Sequence, residues 1–139
     1  IAKIATPPFP GRTNLTISPD GSTLFTDTDS SILVPSLEMV DTMTLRVKGY
    51  IPVGGNGPKV VGFSGEGRYA YVADASEEIK VVDIAARSLV HSIPIDGDAG
   101  AMVLDPRQHR AYVLSRNPNP AEGSSTNDGL GAVFVLEMS

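Results

Sequence analysis

Most of the candidate chemistry of this chain lies in carboxylates that occur in short polar segments between apolar runs. These segments are rich in Gly, Ser and Asn, which are typical of turns. Carboxylates on neighbouring loops can bind a cation such as calcium, and a sugar is a second class of ligand. Aspartate in a turn also accepts hydrogen bonds from nearby backbone amides, and we favour this simpler interpretation. The carboxylates concerned are Asp27, Asp29, Asp74, Glu77, Glu78, Asp96 and Asp98.

The sequence contains none of the patterns that are typical of a catalytic or metal site. The Asp-Gly-Asp segment at 96–98 begins like a calcium loop, but no acidic residue follows it before Asp105, so a tight turn is favoured. His91 and His109 belong to no metal-binding pair, and no serine lies in a Gly-x-Ser-x-Gly turn. The chain also has no cysteine. We therefore predict no catalytic residue, no metal ligand and no cofactor.

The composition indicates a globular domain. Of the 139 residues, 41% are hydrophobic and 19% are charged, which is typical of proteins that bury a core. The formal charge of -5 comes from scattered carboxylates, and no run of Lys or Arg could follow a phosphate backbone, which argues against a nucleic-acid partner. No apolar stretch reaches the roughly 18 residues that a membrane-spanning helix needs, so we expect no membrane insertion.

An internal repeat organises the chain. The dipeptide Val-Asp, the dipeptide Ile-Pro and a following glycine each occur twice with an offset of 42 residues: at 40–41 and 82–83, at 51–52 and 93–94, and at Gly55 and Gly97. Separate anchors that share one offset are typical of a repeat protein. A turn followed by an aromatic strand occurs three times. These occurrences make Phe25, Tyr71 and Tyr112 equivalent, and we expect such repeated aromatic positions to pack between repeats.

Each repeat is expected to contain four short strands separated by turns. In the second repeat the strands are predicted at 60–63, 69–73, 79–83 and 88–93. Four antiparallel strands in about 42 residues are the size of one blade of a β-propeller. The predicted fold is therefore all-β, a β-propeller-type array of about three four-stranded antiparallel blades. Its predicted parts are blade 1 at 12–53, blade 2 at 59–95 and an incomplete blade 3 at 100–139.

Several segments resemble one repeat family of β-propellers. "SPDG", "YAYVAD", "VVDIAARSLVHSIPI" and "IPVGGNGPKVVGFS" are similar to the YVTN repeats. The resemblance covers nearly the whole chain and is strongest from Val40 to Val113. It implies a secreted, periplasmic or cell-surface protein. The segment 116–131 departs from the family pattern, because a short loop stands at the same place in the second repeat.

The array is predicted to be open at its ends. The third repeat stops after its third strand, where 133–136 aligns with 80–83, and residues 1–6 are a candidate closing or preceding-blade strand. A closed ring usually has about four to eight blades. The remaining blades would come either from a longer protein of which this chain is a piece, or from a second copy of the chain. We favour the piece, because an open array would expose apolar flanks of roughly several hundred Å².

The candidate ligand site is the face formed by the connections from fourth to first strand and from second to third strand. The connection between blades 2 and 3 is predicted at 96–100. The polar segment 116–131 also falls on this face and is longer than a propeller connection requires, so a recognition loop and a crossing without a ligand are both retained. The candidate binding residues are Asp27, Asp29, Asn56, Asp74, Glu77, Asp96, Asp98, Arg116, Asn117, Asn119, Asn127 and Asp128.

The function that these features favour is non-enzymatic. The chain is predicted to be an extracellular or envelope-associated binding or scaffold module, with the blades as frame and the loops as contact surface. Its partner would be a protein or a carbohydrate. The alternative is that the chain is part of a propeller enzyme, either lactonase-like or a dehydrogenase subunit, whose active site is completed by further blades. Fold analogy does not separate the two, since function lies in the site that a fold carries.

Overall fold

The computed structural model of the chain describes residues 1, 3–4, 14–28, 34–74, 76–105, 107–116 and 131–138, without the side chains of Val60 and Arg116. The described residues form eleven β-strands. These are β1 (Leu15–Ile17), β2 (Thr23–Asp27), β3 (Ser36–Asp41), β4 (Arg46–Pro52), β5 (Val60–Phe63), β6 (Tyr69–Ala73), β7 (Glu78–Asp83), β8 (Ser88–Pro94), β9 (Asp98–Asp105), β10 (Arg110–Arg116) and β11 (Ala132–Glu137). No helix in this described part is long and apolar enough to cross a membrane.

The strands form three antiparallel sheets in which neighbours in sequence pair with each other. β1 to β4 form the first sheet, β5 to β8 the second and β9 to β11 the third, and we call these sheets blades 1, 2 and 3. In each blade the second strand pairs with both the first and the third strand. The four strands predicted for the second repeat lie within one residue of the observed strand ends. The prediction of an all-β fold built from antiparallel blades is confirmed.

The Val-Asp dipeptide recurs because its aspartate holds the turn between the third and fourth strands. Asp41 Oδ1 accepts hydrogen bonds from the backbone N–H of Met43 at 3.0 Å and of Thr44 at 2.8 Å. In blade 2, Asp83 Oδ1 accepts the backbone N–H of Ala86 at 2.9 Å. Such side-chain acceptors replace the partners that a tight turn denies to its own amides. The Val-Asp dipeptide therefore recurs because its aspartate stabilises this turn, and its recurrence does not indicate a ligand site.

Two apolar layers between neighbouring blades form the core. The first layer joins Phe25, Met39 and Ile51 of blade 1 to Ala70 and Val82 of blade 2, among others. The rings of Phe25 and Phe63 lie 5.2 Å apart between their centroids in this layer. A second layer joins the other side of blade 2 to blade 3. Its members include Tyr71, Ile79, Ala111 and Val113.

Two of the three repeated aromatic positions lie in these layers, and the third lies on the side of blade 3 that faces away from blade 2. Phe25 is 1% exposed and faces blade 2, whereas Tyr71 is 3% exposed and faces blade 3. The prediction that they pack between repeats is therefore confirmed for the first two blades. Tyr112 occupies the same register position in blade 3 and is half-buried.

The structure corrects two details of the third repeat. β9 begins at Asp98, so blade 3 starts two residues before the predicted 100, and Asp98 lies in a strand and not in the connection. In β11, Val135 pairs with Tyr112 just as Val81 pairs with Tyr71, so residues 133–136 align with 79–82 and not with 80–83. The predicted alignment was wrong by one residue because five consecutive apolar residues, 132–136, show no alternation in the sequence that would fix the register.

The strand predicted over residues 1–6 lies partly outside the described residues. Its described members, Ile1, Lys3 and Ile4, belong to no strand. Among the strands that the structure describes, β11 pairs with β10 and with no other. Blade 3 therefore has three described strands where the other blades have four.

Candidate binding face

The connection between blades 1 and 2, residues 54–59, is fastened to both blades by hydrogen bonds, and we call it the first joint. On blade 1, the carbonyl of Pro35 accepts the backbone N–H of Val53 at 2.9 Å and of Gly54 at 3.0 Å. On blade 2, the backbone N–H of Lys59 donates to the carbonyl of Ala73 at 2.7 Å. The joint therefore fixes the two blades relative to each other through its own backbone.

A buried ion pair lies directly beneath the first joint. Lys80 Nζ donates to Asp74 Oδ2 at 2.7 Å, and the two side chains are 5% and 0% exposed. Asp74 Oδ1 also accepts the backbone N–H of Ser76 at 3.1 Å and its hydroxyl. The backbone N–H of Asn56, in the joint itself, points to Asp74 Oδ2 at 3.4 Å. Because a buried carboxylate is stable only when it is paired and hydrogen-bonded, these donors make the charged form of Asp74 tolerable.

Gly55 lets the joint cross over this ion pair. Its φ of +69° is in the left-handed region, which glycine adopts without the steric cost that a Cβ adds. A Cβ at this position would lie 2.0 Å from Asp74 Oδ2 and 2.5 Å from Lys80 Nζ. The glycine is thus required both by the turn and by the close approach of the charged pair.

The environment of Asp74 lowers its pKa. Burial by itself raises the pKa of this carboxyl, but the hydrogen bonds from Lys80 and Ser76 and the positive charge of Lys80 outweigh burial, so the net pKa lies below the ordinary value. Asp74 is therefore a carboxylate at neutral pH. Its lone pairs are directed to Lys80, Ser76 and the first joint, which identifies it as a fastening residue of the blade joint.

One register position at the C-terminal end of the second strand, or directly after it, carries a buried polar residue in every repeat. It is Thr28 in blade 1, Asp74 in blade 2 and Ser115 in blade 3, and these residues are between 0% and 2% exposed. Thr28 Oγ1 accepts the backbone N–H of Ser36 at 2.9 Å, and Ser115 Oγ donates to the carbonyl of Asp96. The set is not recognisable in the sequence, because the three residues differ in type. Their spacings of 46 and 41, shared with the aromatic strand, were the signal that could have found them.

The connection between blades 2 and 3, residues 96–97, repeats part of the first joint, and we call it the second joint. The backbone N–H of Ile95 donates to the carbonyl of Glu77 at 2.9 Å, as Val53 does to Pro35. Gly97 has a φ of +79°, in agreement with the tight turn that was favoured over a calcium loop. At this joint the buried register position is occupied by Ser115. Its hydroxyl donates to the carbonyl of Asp96 in the joint, where the first joint has a charged pair.

The predicted binding residues separate into four groups. Asp27 and Asp74 are buried, and Asp27 Oδ1 accepts the backbone N–H of Asn14 at 2.9 Å. The exposed residues are Asn56, Glu77, Asp96 and Asp98. Arg116 ends β10 in register with Asp98. The predictions for Asp29, Asn117, Asn119, Asn127 and Asp128 lie outside the described residues. Within the described part of the chain, no three or more His, Cys, Asp or Glu residues are grouped so that they could hold a metal ion.

A groove lies between β8 of blade 2 and β11 of blade 3. Its volume is about 490 Å³, and Tyr71, His91, Ile93 and Glu137 are among the residues that line it. Ile93 is half-buried, whereas Ile51, at the same register position in blade 1, is 0% exposed. Ile51 lies on the side of blade 2, which has four described strands, and Ile93 lies on the side of blade 3, which has three.

Comparison with solved structures shows a propeller-type fold. The chain superposes with a TM-score of 0.69 on a structure of Kuenenia stuttgartiensis hydrazine synthase, with 30% identity over 82% of this chain and 32% of that one. It superposes with a TM-score of 0.68 on the WD40 repeats of RRP9 and on U3-55K, at 16% identity in both cases. These two matches cover 80% of this chain and 34% and 35% of the others.

The similarity is limited to a part of each matched structure. The chain spans about a third of the length of each of the three structures. No family model matches the chain, and no curated protein matches it. Together with the three antiparallel blades, the comparisons show that the chain is a partial β-propeller.

Proposed function

We propose that the chain is a non-enzymatic binding and scaffold module, a YVTN-type segment of a larger β-propeller that works outside the cytoplasm. The face that carries the two joints is its contact surface. This proposal rests on the two different roles of the polar residues on this face. Some of them are buried and hold the blades together, and the others are exposed on the connections or, in the case of Asp98, at the start of β9.

The buried ion pair is the observation that carries this proposal. Asp74 and Lys80 stabilise the first joint. The carboxylate of Asp74 already accepts hydrogen bonds from Lys80 and from the backbone amide and hydroxyl of Ser76. A carboxylate held in this way is not available as a general base or as a metal ligand. The buried charged pair beneath the first joint therefore has a structural role, and the exposed residues of the face are those proposed for contact.

The exposed residues of the face favour a basic partner. Glu77, Asp96 and Asp98 are exposed carboxylates, and Asn56 is exposed on the first joint. Acidic residues on rigid connections attract a basic protein surface and orient it, more than they add affinity by themselves. A protein with a basic patch is therefore the partner class that the face supports best. A carbohydrate is the alternative ligand, because Asn and Asp side chains also pair with hydroxyl groups.

The experiment compares the two faces of the propeller in the source cell. A photo-crosslinking amino acid replaces Asn56 or Asp98 on the binding face, and Glu66 or Gln108 on the turns of the opposite face serves as the control position. We expect one protein to crosslink from both binding-face positions and from neither control. Glu77→Lys combined with Asp96→Lys should abolish that crosslink, whereas Glu66→Lys should leave it. Equal crosslinking from both faces would contradict the proposal, and binding on a glycan array would assign the carbohydrate alternative.

A second candidate function is suggested by one comparison. The 30% identity to a chain of hydrazine synthase extends over 82% of this chain, and this supports the alternative that the chain is part of a propeller enzyme. In that case the segment would contribute to a propeller whose active site is completed by other blades. Turnover by a longer form of the protein, lost on removal of blades 1 to 3 and insensitive to Glu77→Lys and Asp96→Lys, would favour this alternative.

A further inference from the structure

The first joint contains the dipeptide Asn56-Gly57, the only Asn-Gly in the sequence. Asparagine is a chemically labile residue, because its side-chain carboxamide can react with the backbone amide of the next residue. Glycine in the next position favours this reaction, since it has no Cβ to hinder the approach. Asn117 and Asn119 precede proline, which has no backbone N–H to react, and the other two asparagines precede leucine and aspartate. The sequence therefore favours Asn56 as a site of modification.

The structure leaves Asn56 accessible, whereas it holds a second asparagine that contacts the joint. Asn56 is exposed. Asn14 is half-buried, and its side-chain Nδ2 donates to the carbonyl of Pro58 at 2.9 Å. The backbone N–H of Asn14 donates to Asp27 Oδ1 at 2.9 Å. Water and departing ammonia therefore have access to the carboxamide of Asn56, while the carboxamide of Asn14 is already bound to the joint.

The backbone N–H of Gly57 has no hydrogen bond that must break before it reacts. The joint is fastened on either side of it, at Gly54 and at Lys59. Between them the N–H of Gly57 donates to no acceptor in the part of the chain that the structure describes. Gly57 itself is buried, and the carbonyl oxygen of Thr28 lies 3.6 Å from the place of a Cβ. Exposed side chains change rotamer within nanoseconds, so the carboxamide of the neighbouring Asn56 can reach this amide.

We propose that Asn56 deamidates spontaneously in the folded chain and that the isoaspartate product weakens the first joint. The nitrogen of Gly57 loses its proton to solvent and attacks Asn56 Cγ. The new C–N bond closes a five-membered succinimide ring, and the side-chain nitrogen of Asn56 leaves as ammonia. Water then opens the ring, at the side-chain carbonyl to give aspartate or at the main-chain carbonyl to give isoaspartate. The overall reaction consumes one water and releases one ammonia, without a change of oxidation state.

Isoaspartate changes the joint at the point where it crosses the buried ion pair. The backbone N–H of Asn56 lies 3.4 Å from Asp74 Oδ2, and Gly55 approaches the same carboxylate so closely that a Cβ would not fit. In isoaspartate the main chain runs through Cβ and Cγ, which adds one atom to a connection that is fixed at Gly54 and Lys59. The new carboxylate also adds a negative charge beside Asp74. Aspartate adds this charge without the extra main-chain atom, so isoaspartate should weaken the joint more than aspartate does.

Mass spectrometry of the incubated chain tests the first half of the proposal. The natural chain is kept folded at mildly alkaline pH, and its tryptic peptide 49–59 is compared with that of a fresh sample. We expect this peptide to gain one dalton and to become a substrate of a protein isoaspartate methyltransferase. Asn56→Gln is the matched control, because a six-membered ring closes more slowly and the position is exposed. Gly57→Ala should slow the gain severalfold, since the nearest atom to its Cβ is 3.6 Å away and the variant has room to fold.

The free peptide 49–59 provides the reference for this measurement. If it deamidates under the same conditions while the folded natural chain keeps its mass, the proposal is overturned. Loss of mass difference in Asn56→Gln, together with a gain in the natural chain, would support the assignment to Asn56.

Urea denaturation tests the second half of the proposal. The incubated natural chain, once its isoaspartate is confirmed, should unfold at a lower urea concentration than the fresh chain. Fresh Asn56→Asp should unfold closer to the fresh natural chain, and incubated Asn56→Gln should show no decrease. Equal midpoints for the fresh and the modified natural chain would contradict an effect on the joint. An equal decrease in incubated Asn56→Gln would show that the loss of stability does not come from residue 56.

Discussion

The two joints of the array use the same backbone connections with different side chains. In each, an amide after the fourth strand donates to a carbonyl in front of the third strand, from Val53 to Pro35 and from Ile95 to Glu77. Beneath the first joint lies a charged pair, whereas a neutral hydroxyl, that of Ser115, supports the second. The repeat therefore specifies the backbone hydrogen bonds of a joint, while the side chains that stabilise the joint differ from one repeat to the next.

The residue in the register position of Lys80 shows the same difference. It is Phe134 in blade 3, which packs into the apolar layer against blade 2. Asp74 and Lys80 are thus matched by Ser115 and Phe134 in the next repeat. Since a buried ion pair is often no more stabilising than apolar residues of similar volume, the charged version is one local solution among several. The following predictions test how far the two joints differ.

The largest effect is expected from removal of one partner of the ion pair. Lys80→Met keeps most of the side-chain volume but leaves Asp74 buried without its cation, which we expect to cost about 3 to 5 kcal/mol of the free energy of unfolding. Urea denaturation followed by circular dichroism measures it. The matched change at an exposed lysine of the first joint, Lys59→Met, should cost less than about 1 kcal/mol. Equal effects of both substitutions would show that the pair contributes no more than a surface charge.

The next effect is expected at Gly55. Gly55→Ala adds a Cβ that would overlap the carboxylate of Asp74 and also occupies a left-handed conformation, so we expect a loss of about 2 to 3 kcal/mol. Gly54→Ala is the control, because Gly54 has a similar φ of +66° and no atom within 4 Å of the added Cβ. It should lose only about 1 kcal/mol. Equal losses at both glycines would mean that crowding over the ion pair is absent.

A smaller effect is expected at the second joint. Ser115→Ala removes the hydroxyl that donates to the carbonyl of Asp96, which should cost about 1 kcal/mol of the free energy of unfolding. Ser88→Ala, at an exposed position of β8, should change it by less than about 0.5 kcal/mol. A cost at Ser115 as large as that of Lys80→Met would remove the distinction between the two joints.

The fourth prediction concerns acid. Because the pKa of Asp74 is lower in the folded chain than in the unfolded one, its contribution to stability is fully present above the unfolded pKa of about 4. That contribution is lost as the pH falls through the lower folded pKa. A variant with Asp74→Ser and Lys80→Met should therefore lose less stability than the natural chain between pH 5 and pH 2. Thermal unfolding across this range is the measurement, and parallel curves for the two proteins would contradict the assignment.

The architecture was largely predictable from the sequence, because two local patterns recur although other residues differ between the repeats. These patterns are the offset of 42 residues and the turn followed by an aromatic strand. The recurring Val-Asp and Ile-Pro positions fall at the ends of strands, where turn chemistry constrains the residue type. The register of β11 was not predictable, because its apolar run offers no alternation. The ion pair was missed because Lys80 lies within an apolar strand, and its partner becomes visible only when the joint folds over both residues.

The chemistry of the face was predicted less well for a related reason. A turn aspartate can serve a ligand or its own backbone, and the sequence does not distinguish the two. The structure shows the backbone role for Asp27 and adds the cation for Asp74. Glu77, Asp96 and Asp98 differ from these two residues because they are exposed.

The most direct test of the difference between the joints is a double-mutant cycle on Asp74 and Lys80. The substitutions Asp74→Ser and Lys80→Met give the first joint a hydroxyl and an apolar side chain, as the second joint has. We predict that each single variant loses about 3 to 5 kcal/mol, while the double variant stays within about 1.5 kcal/mol of the natural chain. If the two losses simply add in the double variant, the ion pair does not hold the joint, and the account given for the first joint is wrong.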